Sequence, residues 1–293
     1  MSAAPTAVRP VRAPRWRRIL RRLPWWIAVA FLVGVAILWI YPFVWMLSAS
    51  LKDNMEVFAA GLKLIPSSLH FENYIRAWED ANFGRYLINT VIVTLWTVFI
   101  VTVRCACAGY VLGRYRFRGS RIFMGILVAT LFVPTGYTII PIVQVSLQLG
   151  VIDSLSGMIL AMSGAANVSA ILIYAGYFRQ MPKELEEAAV VDGAGFLRIF
   201  ISIMLPLAMP VTATVALLTF LATWNAFFLP LVFSFSRPEL RTLSVGMQAF
   251  VGENAVDWTG MAAAGMISIV PVVLLFFFLQ RFFVEGIAGA VKS

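Results

Sequence analysis

Few residues in this 293-residue chain could do chemistry, and they are scattered. His70 is the single histidine, with no cysteine near it, so the donor set of a transition-metal site is missing. Cys105 and Cys107 lie two residues apart in an apolar run. On a helix their side chains point in different directions, which disfavours a mutual disulfide and suits small apolar packing. There is no GxxxxGK[ST] phosphate loop, so the chain is not expected to bind and hydrolyse ATP itself. A membrane enzyme would need a cluster such as a histidine with acids at the interface, and the lone histidine is isolated. One stretch does stand out for its spacing: Glu187-Ala188-Ala189, three residues, Gly193, nine residues, then Ile203-Met204-Leu205-Pro206.

Around that stretch, Pro182 suits the first position of a helix, where a missing N–H costs nothing. Glu184, Glu186 and Glu187 follow in the first turns, where acids complement the helix dipole. Leu185, Ala188, Ala189 and Asp192 fall at i, i+3, i+4 and i+7 and are expected to share one mostly small face. Gly193 and Gly195 allow a sharp turn or close backbone approach. A second apolar helix is expected from about Phe196, entering the membrane by Pro206. On physical grounds two readings stand level. The segment could seat in a groove of another protein, or be an ordinary loop with a helix lying on the membrane surface.

The elements that position this segment are membrane spans. Hydrophobic residues make up 61% of the chain and charged residues 13%, against about a quarter charged in soluble domains. Six apolar spans fit: about 26–47, 87–112, a third in the uncharged run 122–152, about 157–178, a fifth within 199–236, and about 260–280. Pro134, Gly136 and Pro141 predict a kink or break in the third. Pro206 and Pro210 mark the start of the fifth and Pro230 its end; Pro271 lies inside the sixth. The N-terminus reads basic then apolar, like a signal peptide. Its apolar run from Trp25 to Leu47 is longer than the usual h-region of about 7–15 residues, so a retained first span is expected.

The net charge of +9 follows the membrane and is not a nucleic-acid signal. Arg9, Arg12, Arg15, Arg17, Arg18, Arg21 and Arg22 crowd the N-terminus, and Arg114, Arg116, Arg118 and Arg121 crowd one short loop. Basic excess marks the cytoplasmic side. The loops 48–86, 151–156 and 236–257 lack it and are assigned outside; 114–121, 179–198 and both termini are assigned inside. Arg104 lies in the cytoplasmic half of span two, within snorkelling reach of the inner interface. The expected organisation is a basic cytoplasmic tail (1–24), a first span with its outer loop (25–85), a five-span core (86–285) holding the cytoplasmic segment 182–206, and a short cytoplasmic tail (286–293). No internal repeat is evident, and spans three to six are nearly free of charge. Both facts weigh against a secondary solute transporter working without an ATPase partner.

The 187–206 pattern resembles the EAA loop of permease subunits of ATP-binding-cassette importers at Glu187, Ala188, Ala189, Gly193, Ile203, Leu205 and Pro206. It also stands before the last two spans, as in that family. Nearly all the chain beyond the tail is similar to the carbohydrate type, in particular the maltose-type second permease. The stretches that carry this are Asn73-Tyr74, Tyr86-Leu87-Ile88-Asn89-Thr90, Tyr115-Arg116-Phe117, Trp224 to Leu231, and the ending from Gln280 to Ser293. The chain departs from the pattern at Ala226, where an acid is commoner, at Ser293 in place of glycine, and in its long arginine run.

The resemblance implies an all-α membrane protein of the type I ABC importer permease fold, with spans two to six as its core and both termini cytoplasmic. It implies a second homologous permease, two ATPase subunits carrying ATP and magnesium, an extracytoplasmic sugar-binding protein and a sugar substrate, in a bacterial inner membrane. No cofactor or metal is expected on this chain. Coupling to the ATPase would fall to Glu187, Ala188, Ala189, Asp192, Gly193, Gly195, Leu205 and Pro206, with Glu187 pairing with a basic group. The tail at Ser293 would also reach the ATPases, and the loop 236–257 would probe the binding protein. Sugar sites combine aromatic faces with amides and hydroxyls. Candidates along the path are Tyr137, Gln144, Asn167, Tyr174, Trp224 and Asn225, although helix packing accounts better for any one of them taken singly.

Overall fold

The computed structural model describes residues 15–59, 63–79, 82–164, 167–252 and 256–291, and among these there is no strand beyond one isolated bridge, Val251 to Val256. The helices in chain order are α1 (Arg15–Ser50), α2 (Asn54–Ala59), α3 (Glu72–Glu79), α4 (Phe83–Arg114), α5 (Ser120–Thr130), α6 (Ile139–Gln148), α7 (Leu155–Gly164), α8 (Val168–Gln180), α9 (Glu184–Val191), α10 (Phe196–Ile199), α11 (Leu205–Leu207), α12 (Met209–Trp224), α13 (Phe228–Phe233), α14 (Leu243–Gly246) and α15 (Trp258–Val291). The arginines expected to set the N-terminal side before residue 15, and the tail at Lys292 and Ser293, lie outside the described residues.

Among the described residues three helices are long and apolar enough to cross a bilayer unaided: α1 from Pro24, α4, and α15 as far as Phe278. Two bent pairs reach that length together, α7 with α8 at 55° and the Phe196–Leu207 segment with α12 at 77°. The third expected span is two short helices. The helical run stops at Thr130, and a 3-10 turn (Thr135–Thr138) leads into α6. Pro134 precedes that turn in extended backbone, and Pro141 sits in the first turn of α6, where no N–H is needed. Two boundaries differ from expectation. The fifth span ends at Trp224, and Pro230 lies buried inside α13, so that proline is not the terminator. The last helix continues past Gln280 to Val291.

From Pro24 to Leu47 no residue of α1 is buried within the chain, and Phe31, Leu38 and Trp39 stand fully outward. An apolar helix without a covering layer suits lipid as its solvent. It rests chiefly on α15, where Gly265 lets Met46 approach.

The core is built around α4, which packs against α8, α12, α7 and α14. Its closest approach is to α8. A Cβ on Gly109 would overlap the Tyr174 Cβ, and one on Gly113 would lie 2.6 Å from the Ala175 carbonyl oxygen. Two glycines four apart thus open a groove that the neighbouring backbone fills. One end of α4 joins the cluster Phe83, Tyr86, Phe220, Trp224 and Phe250; the other joins Tyr110, Phe178, Phe200 and Met204.

The end of mixed charge is tied by side chains. Asn73, buried, donates to the Ser50 and Lys52 carbonyls at 3.0 and 2.8 Å and so fixes α3 to the end of α1. Asp257 caps α15: its Oδ1 accepts from the Gly260 N–H and from Asn54 Nδ2, each at 2.9 Å, and Arg76 Nε lies 3.1 Å from Oδ2. Burial pushes the Asp257 carboxyl up, but the Gly260 N–H, Asn54, Arg76 and Thr259 together hold it below the usual value. Asn89 donates to the Glu239 and Arg241 carbonyls at 2.8 and 2.9 Å, anchoring the loop 236–257 to α4.

Candidate functional site

The 187–206 segment lies at the other end of α4, together with Arg114, and the side chains here explain the local fold. Helix α9 opens at Lys183, whose carbonyl accepts from the Glu186 and Glu187 N–H groups at 3.0 and 3.1 Å. Pro182 therefore sits just before the helix and not at its first position, and its carbonyl accepts from Arg114 Nη2 at 3.3 Å. The helix stops in a paired C-terminal turn. The Gly193 N–H donates to Val190 O at 3.0 Å and the Ala194 N–H to Ala189 O at 2.9 Å, with Gly193 at φ +78°. That positive φ is why glycine stands at 193. Gly195 is in extended backbone with open space where a Cβ would go, so its smallness is not required by the turn.

These two glycines make a direct comparison. Gly193→Ala is expected to destabilise α9 by about 1–2 kcal/mol, the cost of a left-handed residue bearing a Cβ. Gly195→Ala is expected to be neutral. The check is the rate of limited proteolysis between α9 and α10 in detergent; equal cleavage of the two variants would contradict the turn assignment.

The face expected to be shared by Leu185, Ala188, Ala189 and Asp192 is split. Ala189 turns into the chain's own core at 6% exposed, while Ala188 and Asp192 face outward and Leu185 is at the margin. The inward face is set by Glu186, which sequence reasoning assigned only a helix-dipole role. Its Oε2 accepts from Arg114 Nε and Nη2 at 2.9 and 2.7 Å, and its Oε1 accepts from the Tyr110 hydroxyl at 2.7 Å. The Arg114 side chain is 4% exposed and that of Glu186 18%. Arg114 Nη1 also donates to the Phe178 and Met181 carbonyls at 3.2 and 2.7 Å, closing the end of α8. A cation there satisfies carbonyls that the helix leaves unpaired. Around Tyr110 lie the rings of Tyr115, Phe178, Phe196 and Phe200, with centroids 5.0–5.6 Å away.

Outward, α9 and the following turn present Glu187, Ala188, Val190, Val191, Asp192 and Gly193, all exposed, Val191 at 87%. Leu197 extends this surface at 67% exposed. Beyond it the helix widens to a π turn at Phe200–Met204 and bends by 77° into α12. The Ile203–Pro206 part of the motif therefore falls on an elbow. Met204 and Ala208 are fully buried there, Leu205 is half-buried, and Pro206 is exposed at the start of α11.

The possible path residues are not brought together. Asn167 lines a cleft of about 180 Å³ between α8 and α12, with Ser169 and Thr219, two hydroxyls that sequence reasoning missed because only their facing shows them. Tyr174 is buried, with its hydroxyl donating to Thr212 Oγ1 at 3.0 Å. Trp224 is buried and stacks on Phe220 at 5.1 Å. Asn225 is exposed and donates to its own helix at Leu221 O. Tyr137 and Gln144 are exposed on the broken α5–α6 unit. Arg104 on α4 donates to Gly164 O at 3.4 Å. Among the described residues no cluster of histidine, cysteine and acids could hold a metal.

Residues 105–289, which include Tyr110, Arg114 and the 187–206 segment, match the family described as binding-protein-dependent transport system inner membrane component. The chain belongs to this family. The permease is 34% identical over 269 residues to the diacetylchitobiose uptake system permease protein NgcG of Streptomyces coelicolor, covering 91% of this chain and 87% of the relative. It is 33% identical to the trehalose transport system permease protein SugB of Mycobacterium tuberculosis, covering 93% and 99%. The melibiose/raffinose/stachyose import permease protein MelC of Bacillus subtilis is 32% identical, with 86% and 91% covered. A crystal structure of a bacterial ABC transporter involved in the import of the acidic polysaccharide alginate contains a chain with a TM-score of 0.77 and 27% identity, covering 93% of the permease and 99% of that chain. The permease is thus a multi-pass component of a bacterial plasma membrane, a subunit of an ATP-driven importer and not itself a catalytic enzyme.

Proposed function

We propose that the permease forms half of a sugar-translocation pathway and is driven by a separate ATPase that grips α9. In this reading it pairs with a second homologous permease, two ATPase subunits bind beneath, and an extracytoplasmic binding protein delivers the sugar. ATP and magnesium belong to the ATPases; this chain holds no cofactor. It crosses the membrane six times with both termini cytoplasmic, and spans two to six form the core. The segment 182–206 is the coupling element of the 86–285 core, flanked by the 1–24 tail, the first span with its loop (25–85) and the 286–293 tail. The sugar class is proposed from the sugars that relatives such as NgcG, MelC and SugB are named for.

The observation that carries the coupling role is the two-sidedness of α9. Its inner face is held by a buried ion pair, and its outer face is a small apolar surface edged by Glu187 and Asp192. Such a helix can be pushed as a rigid body without unfolding. Glu187 offers a charge to a basic group of the ATPase, Ala188 and Gly193 keep the surface low enough for close seating, and the elbow ending at Leu205 and Pro206 passes the motion into α12. Basic residues surround the same end: Arg116, Arg118, Arg121, Arg179, Lys183 and Arg198. That excess favours the cytoplasmic side. For the sugar, Asn167 at the α8–α12 cleft is the best placed of the six path candidates.

The test is affinity purification of the permease from its native cell in mild detergent, followed by mass spectrometry. An ATPase with a phosphate loop and a second polytopic permease are expected alongside it. Recovery of the permease alone would contradict the reading and favour a self-sufficient transporter.

A further inference from the structure

The chain connects α9 directly to α8 and, through α10 and α11, to α12; it begins seventy residues after the end of α4. The side chains nonetheless fasten it most firmly to α4. Both carboxylate oxygens of Glu186 are held from that helix, one by Arg114 through two nitrogens and the other by Tyr110. Tyr110 and Arg114 are four residues apart and so project from one face. All three guanidinium nitrogens of Arg114 are engaged, because Nη1 and Nη2 also reach the Phe178, Met181 and Pro182 carbonyls. Pulling Glu186 away would strand a nearly buried cation, so the contact resists separation in a way that an exposed ion pair does not. Helix α4 is in turn the element that packs against both α8 and α12, whose facing sides line the cleft.

We propose that Arg114, with Tyr110 one turn before it, is the joint through which displacement of α9 is handed to α4, so that α4 carries the stroke into the membrane. This rests on the coupling reading of α9. Arg114, Tyr110 and Glu186 are positioning residues: they touch neither sugar nor nucleotide and act by making α4 and α9 one rigid piece.

A spin-label pair in the assembled transporter tests this with ATP and vanadate as the only additions. Lys183→Cys at the start of α9 and Leu95→Cys on the exposed side of α4 carry the labels, in a Cys105→Ala, Cys107→Ala background. The labelled positions lie roughly 30 Å apart along α4 by helix rise. Pulsed dipolar distances are measured in the nucleotide-free complex and in the complex trapped with ATP and vanadate. With the joint intact the distance is expected to stay constant to within about 2 Å, the scale of small interface shifts. With Glu186→Gln it is expected to change or broaden by more than that on trapping. A pair that moves with the joint intact, or that stays fixed in Glu186→Gln, overturns the proposal.

Tyr110→Phe is the second variant, because it removes one hydroxyl and leaves the aromatic packing. It is expected to loosen the pair in the same direction where Glu186→Gln fails to assemble, and a fixed distance in it counts against the joint. Chemical cross-linking to the ATPase from the thiol of the Lys183→Cys variant keeps the two levels apart. No cross-link defeats the coupling reading itself; a cross-link together with a fixed distance in the joint variants defeats only the joint.

Discussion

Glu187→Lys is expected to leave the permease inserted and folded while transport falls by at least ~30-fold, and Gly193→Asp is expected to do the same. For Glu187→Lys the magnitude follows from the roughly 2–5 kcal/mol lost when one partner of a desolvated, hydrogen-bonded charge pair is removed at an interface. Folding should survive for separate reasons at the two sites. Glu187 is exposed, and its replacement costs α9 only the dipole contribution of a first-turn acid, about 0.3–1 kcal/mol. The inward grip through Glu186 is untouched. At Gly193 the backbone is left-handed, a conformation that aspartate tolerates better than most residues, and there is open space where its Cβ would go. The damage is then confined to the outward surface, where an added carboxylate obstructs seating. The measurement is uptake of the sugar carried by the cognate binding protein, with membrane content of the permease quantified in parallel. A Glu187→Lys, Gly193→Asp double variant with full transport would sink the coupling assignment.

Gly109→Val is the opposite kind of change: folded protein itself is expected to be lost. The new side chain meets the Tyr174 Cβ, the Ala175 N at 3.0 Å and the Ile171 carbonyl oxygen at 3.1 Å, two of them backbone atoms of α8 that cannot swing aside. Helices α4 and α8 must separate, and the Tyr110–Phe178 contact and the Arg114 bonds to Phe178 and Met181 separate with them. Overpacking alone costs about 1–3 kcal/mol, and the coupled loss of these contacts adds to it. Thermal denaturation in detergent and the fraction recovered as a monodisperse complex are the readouts. Gly176→Ala is the control, since that glycine has nothing near its Cβ and alanine favours the helix. Equal stability of Gly109→Val and the parent protein would refute the close-packing account.

How much of this could be read in the chain differs from element to element. The break at 131–138 was legible because Pro134 and Pro141 act locally, through a missing N–H and a fixed φ. The turn at Gly193 was legible in outline for the same reason, since a left-handed residue after a helix wants glycine. Gly195 carried the same letter without the same need, and only its observed φ of −77° separates the two. The 55° bend between α7 and α8 and the end of α12 at Trp224 gave no comparable signal; Pro230 pointed to the wrong residue.

By itself the sequence determined the solvent, the helical class and the position of the EAA-like segment that is proposed to couple. Uncharged runs long enough to span a bilayer suit lipid, where a helix satisfies its own backbone groups, and the EAA-like pattern is contiguous. Tertiary structure alone decided which way α9 faces. The 3.6-residue period grouped Ala188 with Ala189 but could not say which lies inward, because that is set by Tyr110 and Arg114 on a helix some seventy residues earlier. It likewise decided that Tyr174 and Trp224 are buried while Asn167, Ser169 and Thr219 line a cleft. A side chain's facing depends on the element packed against it, and that pairing is a non-local property that one sequence does not spell out.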